Sequence, residues 1–454
     1  MLFPVTTIVL AGCLATSYLR RQRRSALTLA LLVWAGEIAL ITLPIFRYDV
    51  DYSPKADVFV AGCLLAVTVG YLVCRNPSRS PPKTYWNRNR EPVIVGALGA
   101  LGVLGCSLLL LDAAGKGTQF NFSYLLDNLV YIRNEVFTTD SEVFAGPLAL
   151  IGQFLAPCSL LAILAASHLG NRDPHRWIVR LAALSLVLNI VVSLFVYGGR
   201  TQIANCVLLI FVSLYLTGRG LRVSPRSVLV AVGLMAAVWF FSVQWFEARE
   251  GGAVDTEFIL NDNQRASLNP LIAPAARNNH SVGSALINLS YFSSPLPTLS
   301  FYIQREVPGP FFGGYSYPLP WALAGIASNT PYSNWQDIRR DVFLPLDNAG
   351  YFSNVWATWL RDLLVDFGYF GAGLFCGLFG AFMAWARNRY EATGALHYHF
   401  LEVISCFVLA LGAFQNLLWA NAIAYAFFAA VGAMIAGRVT LGGASVTPAW
   451  GPAR

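Results

Sequence analysis

Charge is scarce in this chain. Only 12% of its 454 residues are Asp, Glu, Lys or Arg, against roughly 25% in ordinary soluble domains. With a mean hydropathy of +0.55, that shortage places the chain in the membrane class. Positive charge is also missing where a leader would need it. Leu10-Ala11-Gly12-Cys13 looks like a lipoprotein cleavage box, but no Lys or Arg precedes it, and Arg20, Arg21, Arg23 and Arg24 follow. A signal peptide carries its positive charge first, so no cleavage is expected. Cysteine pairs are missing from the polar loops. All eight Cys (13, 63, 74, 106, 158, 206, 376, 406) lie in or at the ends of apolar runs. That predicts free, apolar-packed thiols and no disulfide framework. The net charge of +7 and pI near 9.0 do not require nucleic acid, because the basic residues are dispersed over short loops.

Metal and nucleotide patterns are missing as well. His280 is the only His outside the cytoplasmic set His168, His175, His397 and His399, and a lone His makes no usual zinc site. The polar stretch 247–368 holds no Asp-x-Asp pair for a metal-bound nucleotide sugar. Asp49-Val50-Asp51 does occur, but in a short outer loop, whereas nucleotide sugars are cytoplasmic. Asp366-Phe367-Gly368 has no Gly-rich loop or kinase catalytic loop beside it. The expected site therefore uses neither metal nor cofactor. Stretch 247–368 also contains no Lys at all.

What the chain does have is long apolar runs. A membrane-spanning helix needs about 20 apolar residues. Eleven candidate spans appear: Leu2–Leu19, Ser25–Phe46, Ala56–Val73, Pro92–Leu111, Pro147–Ser167, Trp177–Tyr197, Thr201–Leu216, Ser227–Phe246, Tyr369–Ala386, Phe400–Ala420 and Asn421–Ala436. Nineteen of the 31 Lys and Arg follow odd-numbered spans. By the positive-inside rule the N-terminus faces out, the C-terminus faces in, and 247–368 is extracytoplasmic. The expected fold is an all-α, polytopic helical bundle of about 11 transmembrane helices with one large extracytoplasmic loop subdomain. Residues 1–246 carry the first eight spans, 247–368 the large loop, and 369–454 the last three spans and a cytoplasmic tail. Within 112–146, Phe122, Leu125, Leu126, Leu129, Val130 and Ile132 recur at helical spacing. That spacing suits an amphipathic helix on the outer membrane surface, or a cap over the large loop.

Several residues point to chemistry. Glu37 lies mid-span, where a carboxylate is costly; it is either functional or a hydrogen-bonded packing residue. Glu402 lies near the inner end of its span, within reach of the interface. Gln153, Gln202, Asn205, Gln244, Gln415 and Asn416 share an outward depth, which suits a crevice open to the outside, although such amides also glue helices together. Arg200 follows two glycines in a tight turn before a helix, an arrangement suited to phosphate or to an interfacial anchor. The large loop adds Arg249, Arg265, Arg277, Arg305, Arg339, Arg340 and Arg361 among interspersed acids. Arginine without lysine suits bidentate recognition of an anion such as a diphosphate. His280, Glu247 and Asp262 are the candidates for a general base.

Three segments resemble the Wzy-type oligosaccharide repeat-unit polymerases, the O-antigen polymerase family. They are Gly198-Gly199-Arg200 between two apolar runs, Tyr291 to Leu299 in the large loop, and Asp366-Phe367-Gly368 leading into Leu374 to Gly380. Arg339 to Gly350 matches the Arg-x10-Gly spacing of some members. The resemblance implies a membrane-embedded, lipid-dependent glycosyltransferase fold and a bacterial inner membrane. It implies undecaprenyl-diphosphate-linked oligosaccharides as substrates, with a chain-length regulator and a flippase as partners. Arg200, with Arg265, Arg277 and Arg339, would then face the diphosphate. Two rival readings share the topology: an O-antigen ligase, which transfers the glycan to a lipid A core sugar, and a flippase, which moves the lipid-linked unit without chemistry. The chain has no evident internal repeat and few of the intramembrane charges usual in transporters.

Overall fold

The computed structural model describes residues 3–19, 25–50, 53–76, 91–115, 147–169, 176–196, 201–217, 255–305, 309–312 and 358–414. Isolated positions near 233–243, at 315 and over 342–348 are also described. Among the described residues, ten helices make the bundle: α1 (Pro4–Leu19), α2 (Ala26–Thr42), α3 (Pro54–Cys74), α4 (Glu91–Gly115), α5 (Pro147–Leu155), α6 (Cys158–Leu169), α7 (Arg176–Phe195), α8 (Thr201–Thr217), α13 (Trp359–Thr393) and α14 (Leu396–Leu411). Between α8 and α13 the described residues form four shorter helices: α9 (Thr256–Gln264), α10 (Ala273–Asn278), α11 (His280–Ser293) and α12 (Pro295–Ile303).

The chain is a helical membrane protein. Among the described residues, five helical stretches are long and apolar enough to cross a bilayer: Pro54–Cys74, Pro92–Gly115, Pro147–Ala166, Arg176–Phe195 and Trp359–Thr393. Shorter apolar helices cover four more of the expected runs. The runs Ser227–Phe246 and Asn421–Ala436 and the surface helix expected within 112–146 lie largely outside the described residues. Seven described cysteines are free, and only Cys74 among them is exposed.

Three features differ from the expected fold. First, the bundle is not purely helical. β1 (Phe46–Tyr48) pairs antiparallel with β2 (Ala266–Leu268), with Tyr48 opposite Ala266. Second, the fifth expected span is two helices, because Pro157 at the α5–α6 junction has no amide hydrogen to continue the ladder. Third, the ninth span is preceded by further helix: the chain is helical from Trp359 and kinks at the non-helical Gly368, immediately before the expected start at Tyr369.

Glycines set the closest helix contacts. α3 and α13 pack so tightly that a Cβ at Gly380 would collide with the Val67 carbonyl, and one at Gly70 with the Gly377 carbonyl. On α4, Gly102 and Gly105 lie against the backbone of Ser159 and Ala156 at the α5–α6 junction. Small residues let helix backbones approach where lipid offers no hydrophobic driving force. The N-terminus of α1 is stabilised from outside itself. The buried Asp57 carboxylate of α3 accepts from the backbone N–H of Thr6 at 2.7 Å and of Val5 at 3.0 Å. A carboxylate there satisfies otherwise unpaired helix donors and complements the dipole.

Ion pairs gather at the far end of α3. Arg75 lies 2.7 Å from Glu391, and Arg387 lies 2.7 Å from the same Glu391 oxygen. Arg387 Nη1 also reaches both Glu402 oxygens at 3.2 Å. Glu402 was expected to reach the interface; instead it is fully buried, because Arg387 folds over it. Glu37 is buried in α2, with neither carboxylate oxygen hydrogen-bonded among the described residues.

Candidate functional site

The polar stretch after α8 builds a unit on the ends of α2 and α3. Its anchor is the β ribbon. Asn269 donates its side-chain amide to the Pro44 carbonyl at 2.8 Å and its backbone N–H to the Ile45 carbonyl at 2.9 Å. Tyr48 and Ser293 share a hydroxyl hydrogen bond, and burial pushes the Tyr48 hydroxyl pKa up. Phe46, Leu260, Leu268, Ala276 and Ile287 form a small core under the unit. α11 packs on α2, and α12 packs on α3.

Capping explains the local boundaries. Asp255 starts α9 by accepting from the backbone N–H groups of Glu257 at 3.0 Å and Phe258 at 3.1 Å. Arg265 ends it in a left-handed conformation, φ 46°. Asn279 caps α11 through Val282 at 3.3 Å, which leaves His280 as the first helical residue, exposed. Ser294 and Pro295 break α11 from α12.

Four of the expected site residues belong to this unit. Asp262 is exposed on α9, and His280 is exposed at the start of α11. Arg265 lies 2.8 Å from Asp49, the first acid of the Asp-Val-Asp sequence. Arg277, the penultimate residue of α10, bonds both Glu257 oxygens at 2.9 and 2.8 Å. The Glu257 carboxylate pushes the Arg277 pKa up. Both guanidinium groups are thus already engaged by carboxylates, and either must exchange its partner to hold a diphosphate. Glu247, Arg200 and Arg339 lie outside the described residues. Of the six amides at shared depth, Asn205 is buried and Gln153 half-buried, and the other four side chains are not described.

A second polar cluster sits at the start of α13. Gly368 adopts φ 65°, ψ −176°, a non-helical conformation that kinks α13 between two helical stretches. The positive φ suits only glycine without cost. The break frees two carbonyls: Phe311 N–H donates to Val365 at 3.2 Å and Phe312 N–H to Asp366 at 2.7 Å. The Asp366 carboxylate accepts from the Tyr315 N–H at 2.9 Å. The Asp366-Phe367-Gly368 sequence and the residue before it are therefore where Phe311, Phe312 and Tyr315 dock. Arg361, one of the large-loop arginines, is buried. Its Nε and Nη2 donate to Asp362 at 3.0 and 2.9 Å, and Nη2 also donates to the Tyr315 hydroxyl at 3.0 Å. Burial likewise pushes the neighbouring Tyr302 hydroxyl up. The sequence named neither Asp49, Glu257 nor Tyr315 as a partner. Each meets its arginine across an intervening element, so spacing held no signal.

No protein-family model matches the chain, and no curated protein or solved structure matches it.

Proposed function

We propose that the protein is a polymerase of oligosaccharide units carried on a polyprenyl diphosphate, acting on the outer face of a bacterial inner membrane. It would be a bundle of about 11 spans, with the unit over 255–305 facing outward. One observation carries this reading: residues 255–305, which bear Arg265, Arg277 and Arg305 and no Lys, form a unit seated on the ends of the apolar helices α2 and α3. A water-soluble glycan and a membrane-held lipid would meet at such a boundary. The three resembling segments support the same reading.

In the reaction, the acceptor hydroxyl oxygen bonds the anomeric carbon of the growing glycan. The bond from that carbon to the lipid diphosphate breaks, and the diphosphate leaves with the electron pair. Arginine stabilises the charge that develops on it. Arg200, Arg265, Arg277 and Arg339 are the residues proposed for that role. The hydroxyl proton passes to a base chosen from His280, Asp262 and Glu247. Binding both lipid-linked substrates in one crevice supplies proximity.

Purified protein incubated with a lipid-diphosphate-linked repeat unit should produce a ladder on a gel. Transfer of one preformed chain to a lipid A core sugar, without a ladder, would make it a ligase. Movement of the unit across vesicles without bond formation would make it a flippase.

A further inference from the structure

α3 and α13 pack tightly at the Arg75 end, where Gly70, Gly377 and Gly380 bring the backbones together. Toward the Lys55 end Phe59 still packs edge-on against Tyr369, and an open apolar groove of about 810 Å³ is lined by both helices. That volume is within the range of small-molecule sites, roughly 300–1,000 Å³. Gly62 and Gly373 leave its walls low, for a Cβ on either would touch nothing. Val58, Phe370 and Leu374 rim the groove, and Phe370 is 86% exposed. Lys55 stands at its mouth and forms no ion pair among the described residues. Asp57, the nearest acid in sequence, is turned away onto the α1 N-terminus.

We infer that this groove holds an acyl chain of an anionic glycerophospholipid, with the phosphate headgroup at Lys55. Depth argues for that occupant. From Lys55 to Cys63 is eight residues of helix, about 12 Å. One leaflet of a hydrocarbon core is about 15 Å. The groove closes near mid-bilayer, which suits one leaflet's acyl chain and is too short for a polyprenyl tail. Charge complementarity argues for the headgroup, since a Lys at the surface attracts anionic lipid. The inference does not rest on the proposed reaction or on which way the protein faces.

The test uses the full-length protein in nanodiscs of equimolar phosphatidylglycerol and phosphatidylcholine. Lipid retained after detergent exchange is counted by native mass spectrometry. One phosphatidylglycerol per chain is expected, preferred about fivefold over phosphatidylcholine. Lys55→Gln should keep a bound lipid but lose the preference. Gly62→Leu with Gly373→Leu should lose the lipid, at an unchanged melting temperature. Equal retention of the two lipids, or an unchanged preference in Lys55→Gln, would overturn the inference. So would displacement of phosphatidylglycerol by undecaprenyl phosphate, which would assign the groove to a polyprenyl lipid. If the leucine variant fails to fold, Lys55→Gln still decides.

Discussion

Arginines in this chain do three different things, and burial separates them. Arg361 is locked between Asp362 and Tyr315. Arg265 and Arg277 are surface clips, which add little stability and leave the guanidinium exchangeable. Arg387 compensates a carboxylate with no exposed surface. Removing one partner of such a pair costs about 3–5 kcal/mol, because a buried charge is left alone. Arg387→Ala should therefore lower the melting temperature in detergent sharply. The double variant Arg387→Ala with Glu402→Gln should recover most of the loss; no recovery would mean that packing of the arginine stem dominates. His280 invites the opposite experiment. It is exposed, and Asn279 supplies the helix cap, so His280→Ala should leave the fold intact. If His280 takes the acceptor proton, ladder synthesis should slow on the order of 10²–10⁴ with acceptor binding unchanged. A normal ladder at normal speed would move the search to Asp262 and Glu247.

Elements that depend on long apolar runs were legible in the sequence, and elements that depend on distant partners were not. α3, α4 and α7 begin and end within about four residues of the expected spans. The β ribbon was invisible, because three-residue strands from residues 46–48 and 266–268 carry no pattern of their own. The kink in α13 was not visible, for nothing in the spacing said that Gly368 would break the ladder one residue before the expected span. The site was legible as residue types: an arginine-bearing loop with one His. Its pairings were not, since Asp49–Arg265 spans 216 positions. The packing of α3 and α13 gives a contrast between glycines. At Gly380, alanine meets the Val67 backbone, so the helices must part, an overpacking cost of about 1–3 kcal/mol. At Gly62, alanine meets nothing and should stabilise by about 0.4–1 kcal/mol through the unfolded chain. Thermal melts of the two variants should move in opposite directions. A parallel shift would show that the tight and open ends are not distinct.

The whole molecule is organised by its two polar ends, and the proposed chemistry depends on which of them faces out. One end carries the ribbon and the unit over 255–305. The other carries the Arg75, Arg387, Glu391 and Glu402 network. By the arginine count the network is expected inside the cell. Cys74 can decide this, because it is exposed beside Arg75 while the other described cysteines are buried. In a Cys206→Ala background, a membrane-impermeant maleimide should label Cys74 in inverted membrane vesicles and spare it in right-side-out ones. The reverse pattern would turn the chain over. The unit bearing Arg265, Arg277 and His280 would then face the cytoplasm, where a flipped lipid-linked glycan is not presented. The polymerase reading would fall with the topology, whereas the lipid groove would simply change leaflets.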